Sequence, residues 1–288
     1  MSSLFAPYHQ LPVIRELERI FGRTGTLQDT VREELQALRK LHCLEICARL
    51  REGKAAQEGP LGLHRFEHQV CSQHGEDGVL VEIFRRIGDG SRTFVEVGIG
   101  DGIENNTSFL HSLGWSGVWI DANPLPPPIP PELRFRQSFV TKENAAALFT
   151  ELAVPVEVDL CSLDIDQNTF YLWEALSAWR PRVVLTEYNA SIPPSVEWKV
   201  NYEAGRVWDL TNNFGASLKA FERLGHRLGY ALVHCEISGA NAFFVRQDLV
   251  GERFAGPFDA ETHYEPPRYS LDHNPGHRRS RLDREQSA

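Results

Sequence analysis

The chain has 288 residues, 42% hydrophobic and 24% charged, with a formal net charge of −9, which suits one large α/β domain with an appendage. The acidic balance argues against a protein that tracks nucleic-acid phosphates; no run of about 18 apolar residues offers a membrane span, and MSSLFAPYHQ lacks the charged-then-apolar order of a signal peptide. Five cysteines (Cys43, Cys47, Cys71, Cys161, Cys235) form an odd set without paired metal-site spacing, so a reducing, cytoplasmic setting is expected.

Leu11–Phe21 and Thr26–Leu50 read as helices, the second opening on a capping-box-like Thr26 and Asp29. Val31, Leu35, Leu38, Leu41, Leu44 and Leu50 give it a broad apolar stripe, with Arg32, Glu33, Arg39, Lys40 and Arg49 on the polar side. The stripe either packs on the main domain or serves as a lid or homodimer contact. Glu52–Leu63 reads as a linker. His64 and His68 are four apart but lack a third ligand nearby, and read as surface histidines. Gln69–Ile87 reads as a helix, with Val79, Leu80, Ile83, Phe84 and Ile87 at helical spacing. Gln73, His74, Glu76 and Asp77 gather at its N-terminal end, beside free amides and the positive dipole end. There they either reach a cofactor or, as Ser72 or Asp77 would, cap the helix.

Phe94–Val97 is an apolar strand that runs into Gly98-Ile99-Gly100-Asp101-Gly102, and Asn105–Leu113 follows with helical spacing. A second strand, Gly117–Ile120, ends on Asp121. An acidic residue at that tip, about 20 residues past a glycine-rich turn, suits the two ribose hydroxyls of an adenosine ligand. The third glycine of a dinucleotide fingerprint would fall at Ile103, and Glu96, Asp101 and Glu104 crowd the turn. Such charge repels a pyrophosphate and suits the sulfonium and ammonium of S-adenosylmethionine. The plainer alternative is a βαβ turn that needs glycine and binds nothing.

After the stiff Asn123-Pro-Leu-Pro-Pro-Pro stretch, Arg134–Val140, Asp159–Asp166 and Arg182–Tyr188 read as strands, and Thr141–Leu152 and Thr169–Trp179 as helices. Ile192–Asn213 is a long irregular insertion carrying Trp198, Tyr202 and Trp208, which can stack on a ring or serve as core. Ala216–Leu228 is a helix. Ala231–Ile237 and Ala242–Arg246 are joined too tightly for a crossover and must form an antiparallel hairpin. The expected architecture is therefore α/β: a class I methyltransferase Rossmann-like seven-stranded sheet with a C-terminal antiparallel hairpin, plus an N-terminal helical extension. Residues 1–63 form that extension and linker, 64–250 the methyltransferase domain, and 251–288 a tail without periodicity that wraps the domain or frays.

The stretches SQHGEDG, FVEVGIGDGIENNTSFLHSLGWSGVWIDANP, LDIDQNTFYLWEAL, PRVVLTEYNA, GASLKAFERLG and GANAFFVRQDL, in this order, resemble the FkbM-type methyltransferase superfamily over Val70 to Leu249. The resemblance implies S-adenosylmethionine-dependent O-methylation of a small molecule or sugar, with the Glu96–Gly102 loop at the methionine part and Asp121 at the ribose. At Asp166-Gln167-Asn168 the chain departs from the acidic residue followed by glycine found in many members.

The candidate cofactor shell comprises Gln73, Asp77, Glu96, Gly98, Gly100, Asp101, Gly102, Asn106, Asp121, Ala122, Asn123 and Asp164. Asp166, Glu187 and His74 are the candidate catalytic groups. A hydroxyl acceptor must lose its proton to a base or with help from a metal. Asp164, Asp166 and Glu187, with Asn189, are the candidate ligands of Mg²⁺ or a similar hard cation; alternatively Asp166 or Glu187 is a base, or the carboxylates only cap helices and line a cleft. A nucleotide-dependent oxidoreductase and a non-catalytic methyltransferase-like binding protein are the alternative functions.

Overall fold

The computed structural model describes residues 25–126, 129 and 133–271, with isolated positions 12 and 282; Leu11–Phe21 falls almost wholly outside them. Seven strands form one sheet: β1 (Thr93–Val97), β2 (Ser116–Asp121), β3 (Leu133–Gln137), β4 (Leu160–Leu163), β5 (Val183–Glu187), β6 (Tyr230–Cys235) and β7 (Asn241–Arg246), in the order β3-β2-β1-β4-β5-β7-β6. Every neighbouring pair is parallel except those made by β7, which runs antiparallel to β5 and β6. The expected architecture, terminal hairpin included, is present.

Alternation along the strands sends apolar groups to both faces, as a doubly covered sheet requires. On one face Val95, Val97, Val118, Ile120, Leu163 and Phe244 pack with α4 (Ala145–Glu151), α5 (Thr169–Ala175) and α6 (Leu218–Leu228). On the other Phe94, Trp119, Leu160, Leu185 and Phe243 pack with Val79, Leu80, Ile83 and Phe84 of α2 (Glu76–Ile87) and Leu110 of α3 (Ser108–Ser112). Helix α6 has its stop and start written locally: the Ser217 side chain accepts from the Ala220 amide, and Gly229 at φ 87° ends it.

Several boundaries differ from expectation for reasons visible in the polar contacts. Helix α1 runs from Gly25 to Glu58 without a break, so most of the supposed linker is helix; Lys54, Ala55, Ala56, Gln57 and Glu58 are all good helix formers and outweigh Gly53. Helix α2 starts at Glu76 and not at Gln69, because one Asp77 oxygen gathers the amides of Val70, Cys71 and Ser72 at 2.7–2.8 Å and curls that segment into a turn. The apolar stripe of α1 is only partly used: Leu38 and Leu41 are exposed, and it is Cys43 and Cys47, backed by Ile46 and Leu50, that pack on Ile237 and Leu271. The tail wraps the domain as far as residue 271, with the Arg268 amide on the Ser238 carbonyl at 2.7 Å and Leu271 buried. His64 is buried, not a surface residue.

Candidate functional site

The strand order reverses between β1 and β4, and open parallel sheets bind ligands outside the carboxyl ends of such a pair. Two chain segments leave the sheet there almost touching. The Gly98 amide donates to the Ile120 carbonyl and the Asp164 amide to the Val97 carbonyl, both at 2.9 Å. Gly98 has φ 86°, and a β carbon on it would fall on the Asp164 carbonyl oxygen.

Glu96 lies beneath this corner, fully buried. Its carboxylate accepts from Asn105 Nδ2 at 2.7 Å, the Asn106 amide at 2.8 Å, and the Thr107 amide and hydroxyl at 3.1 and 2.5 Å. Burial raises its pKa, and these donors act in the opposite direction. They also explain why α3 begins at Ser108 and not at Asn105. Glu96 is thus a fastener of the glycine loop more than a free contact, and Asn106, whose side chain reaches Ser162 Oγ at 3.1 Å, belongs to the same fastening.

Asp121 ends β2 and is also tied to the loop. One oxygen accepts from the Gly100 amide at 3.0 Å and the other from the Asn123 amide at 2.8 Å. A carboxylate has about four lone-pair sites, so capacity remains for two hydroxyls. Asp121 lines a cleft of about 210 Å³ together with Gly98, Ala122, Asn123, Asp164 and Asp166. The same cleft is also lined by the apolar Ile120, Phe139 and Val140 and by Asn168, Arg206 and Val207. Sequence spacing does not mark these groups: Phe139 and Val140 read as part of a strand that in fact stops at Gln137, and Arg206 sits in a segment without periodicity.

Asp164, Asp166 and Glu187 offer carboxylate oxygens within 4.8 Å of one another, each half-buried. Their grouping does not arise as expected. Strand β4 ends at Leu163, and Asp166 opens a 3-10 turn, Asp166–Asn168, with φ 55°. A positive φ is tolerated by Asp better than by most residues but still stores strain, which collects at functional positions. The insertion holds this turn, through Gln167 Nε2 on the Asn213 carbonyl at 3.1 Å and Asn168 Nδ2 on the Glu203 carbonyl at 3.0 Å. Burial, then repulsion from its neighbours, raises the pKa of Asp164 and of Glu187, and burial raises that of Asp166. Glu187 Oε2 is buried without a hydrogen-bond partner among the described residues.

Other expected members are placed elsewhere. Asn189 spends its side-chain amide on the carbonyls of Asn212 and Phe214 at 2.8 and 2.9 Å, and its oxygen on the Ser191 amide at 3.1 Å; it anchors the insertion and is not offered as a ligand. Asp77 gives one oxygen to the 70–72 turn, its Oδ1 is buried without a hydrogen-bond partner among the described residues, and it does not line the cleft. Gln73 and Asp101 are exposed, and Gly102 closes the loop on the Ile99 carbonyl at 3.0 Å. His74 is buried, its amide on Glu76 Oε2 at 2.8 Å, and it does not line the cleft. Tyr202 stands against Tyr171 with ring centroids 5.1 Å apart and under the Lys142 ammonium at 3.8 Å, while Trp208 is exposed.

No protein-family model matches the chain, and no curated protein is similar to it. Similar solved structures include the N-terminal domain of EvdMO1 in the presence of SAH and D-fucose, at 12% identity over 70% of this chain and 94% of that one, TM-score 0.36. A magnesium protoporphyrin IX methyltransferase from Synechocystis PCC 6803 with bound SAH is 10% identical over 59% and 85%, TM-score 0.35. An O-methyltransferase family protein from Burkholderia thailandensis is 11% identical over 75% and 72%, TM-score 0.33. Likeness at this level concerns the fold alone.

Proposed function

We propose that the chain is an S-adenosylmethionine-dependent O-methyltransferase of FkbM type acting on a hydroxyl of a small molecule or sugar. The observation that carries this reading is Asp121, hydrogen-bonded to the glycine loop with lone pairs left for a ribose, in the lining of a cleft where, among the described residues, Arg206 is the only side chain of positive charge. The adenine ring would lie along Ile120, Phe139 and Val140, and the cationic methionine end would face Asp164 and its neighbours. Methyl transfer to oxygen is an in-line displacement, so the protein's share is to align donor and acceptor and to take the hydroxyl proton.

Asp166, which lines the cleft, or Glu187, grouped with it, would take that proton. The trio of carboxylates is a donor set that fits a hard divalent cation, which would acidify the hydroxyl. A homodimer contact would fall to the exposed Leu38 and Leu41 of α1, and sedimentation of a Leu38→Glu/Leu41→Glu variant tests it.

The cofactor reading is tested by calorimetry with S-adenosylhomocysteine and with NAD. Binding of the first and not the second is expected, with at least tenfold weakening in Asp121→Ala. Binding of NAD alone would return the chain to the oxidoreductases. Cofactor binding without transfer to any hydroxyl acceptor would leave a binding protein.

A further inference from the structure

Apart from the cleft, and sharing no residue with it, a second polar cluster is largely buried. The three segments that meet there are the end of α1, the 3-10 turn His64–Phe66, and β6. His64 and His234 are buried, with ring centroids 4.5 Å apart. His64 Nδ1 lies 2.8 Å from Glu58 Oε1. His64 Nε2 has no hydrogen-bond partner among the described residues. Neither nitrogen of His234 makes a hydrogen bond of good geometry among the described residues, Nε2 having only the Glu67 carboxylate at 3.3 Å, and that residue is 0% exposed.

An imidazole sealed from water without a well-aligned hydrogen bond at either nitrogen has lost its hydration with little in return. A proton on His64 would answer Glu58 and Glu265, whose Oε1 is 3.4 Å from His64 Nε2, but it does nothing for His234. A cation bound to nitrogen answers both rings at once. One ligand atom from each of Glu58, His64 and His234 lies within 4.8 Å of the others. Donors on a tetrahedral zinc ion stand about 3.3 Å apart, given metal–ligand bonds of about 2.0–2.1 Å. Glu67 Oε1, 3.3 Å from His234 Nε2 and 3.9 Å from His64 Nε2, is a further oxygen at hand, oriented by the Ile237 amide at 3.0 Å.

We propose that Glu58, His64 and His234 form a buried site for one borderline transition-metal ion of the zinc type, which staples helix α1 to the hairpin edge of the sheet. Two imidazoles and a carboxylate without a thiolate suit such an ion better than a hard one such as Mg²⁺. With Glu67 as a fourth protein ligand the coordination shell is closed, which makes the site structural and not catalytic. The site shares no residue with the carboxylate trio and stands whether or not the methyltransferase reading does.

The test uses the tag-free full chain, made in zinc-supplemented and in cobalt-supplemented minimal medium and dialysed without chelator. About one metal ion per chain is expected in each case, with visible absorption bands of a low-coordinate Co²⁺ centre and two-imidazole scattering in the zinc X-ray absorption spectrum. Metal content should fall at least tenfold in His234→Gln and persist in an Asp164→Asn/Glu187→Gln variant. A strong chelator should lower the parent's melting temperature and not that of His234→Gln. A parent holding under about 0.1 ion per chain from both media overturns the proposal. So does metal that survives in His234→Gln and vanishes in the acidic variant. Should His234→Gln fail to fold, the scattering of the parent decides: a shell without imidazole overturns the site.

Discussion

Gly98 and Asp164 meet backbone to backbone at the reversal of the strand order, where a β carbon on the first would fall on the carbonyl oxygen of the second. The contact sets how closely the glycine loop and the carboxylate-bearing segment flank the cleft. It combines a positive φ with a filled space, so no side chain fits without moving one of the two segments.

Gly98→Ala should therefore cost at least about 2 kcal/mol of stability and remove measurable S-adenosylhomocysteine binding, because the loop and the cleft shift together. Thermal melts and calorimetry check both. A variant that melts and binds like the parent would contradict the close approach.

Glu96 and Asp121 should separate under mutation. Glu96→Gln exchanges an acceptor oxygen for an amide beside groups that only donate, the Asn106 amide or Asn105 Nδ2, at about 1–3 kcal/mol. Asp121→Asn loses less stability but at least tenfold in cofactor affinity, since it faces the cleft. Urea unfolding beside calorimetry reads the two effects. Equal loss of stability in both variants, with affinity intact in Asp121→Asn, would refute the assignment of roles.

The sheet was legible because its signals are local and redundant: Phe94–Val97 and Val183–Leu185 are continuous apolar runs, and the Ser238-Gly-Ala-Asn link allows only a hairpin. The glycine loop and Asp121 were legible for the same reason. What sequence spacing did not carry were long-range polar contacts. Nothing near Glu96 signals that Asn105, Asn106 and Thr107 will spend their donors on it and shorten α3. Asn189 looked like a ligand because it ends a strand next to Glu187, yet the insertion claims its whole amide. His64 and His68 looked alike four residues apart; only folding distinguishes a ring packed against His234, 170 residues later, from an exposed one.

Asp77 gives the stability a pH dependence of definite sign. Burial lifts its carboxyl from the ordinary 3.8 to about 6, against the pull of the Ser72, Val70 and Cys71 donors. The folded chain thus keeps a proton between about pH 4 and pH 6 that the unfolded chain has released, and stability falls as pH rises through that window, by at most about 3 kcal/mol. Asp77→Asn keeps an acceptor for the turn and cannot titrate, so its urea midpoint should change less between pH 4 and 6. Parallel pH profiles for parent and variant would show that Asp77 does not hold this proton.

The carboxylates of Asp164, Asp166 and Glu187 repel one another in a half-buried pocket, and something must offset that repulsion when all three are ionised. A divalent cation does so through oxygen ligands, and Asp166, held at φ 55° by the insertion, is the member whose position is specified at a cost in strain. The cofactor-loaded chain should therefore bind Mg²⁺ or Mn²⁺ by calorimetry, at least tenfold more weakly in Asp166→Asn and not detectably in an Asp164→Asn/Glu187→Gln variant. Transfer to a hydroxyl acceptor, once one is found, should fail in EDTA and return with Mg²⁺. If the parent takes up neither ion at millimolar concentration and turns over in chelator, the carboxylates work as bases. Turnover should then be abolished by Asp166→Asn or by Glu187→Gln, whichever removes the acceptor of the hydroxyl proton.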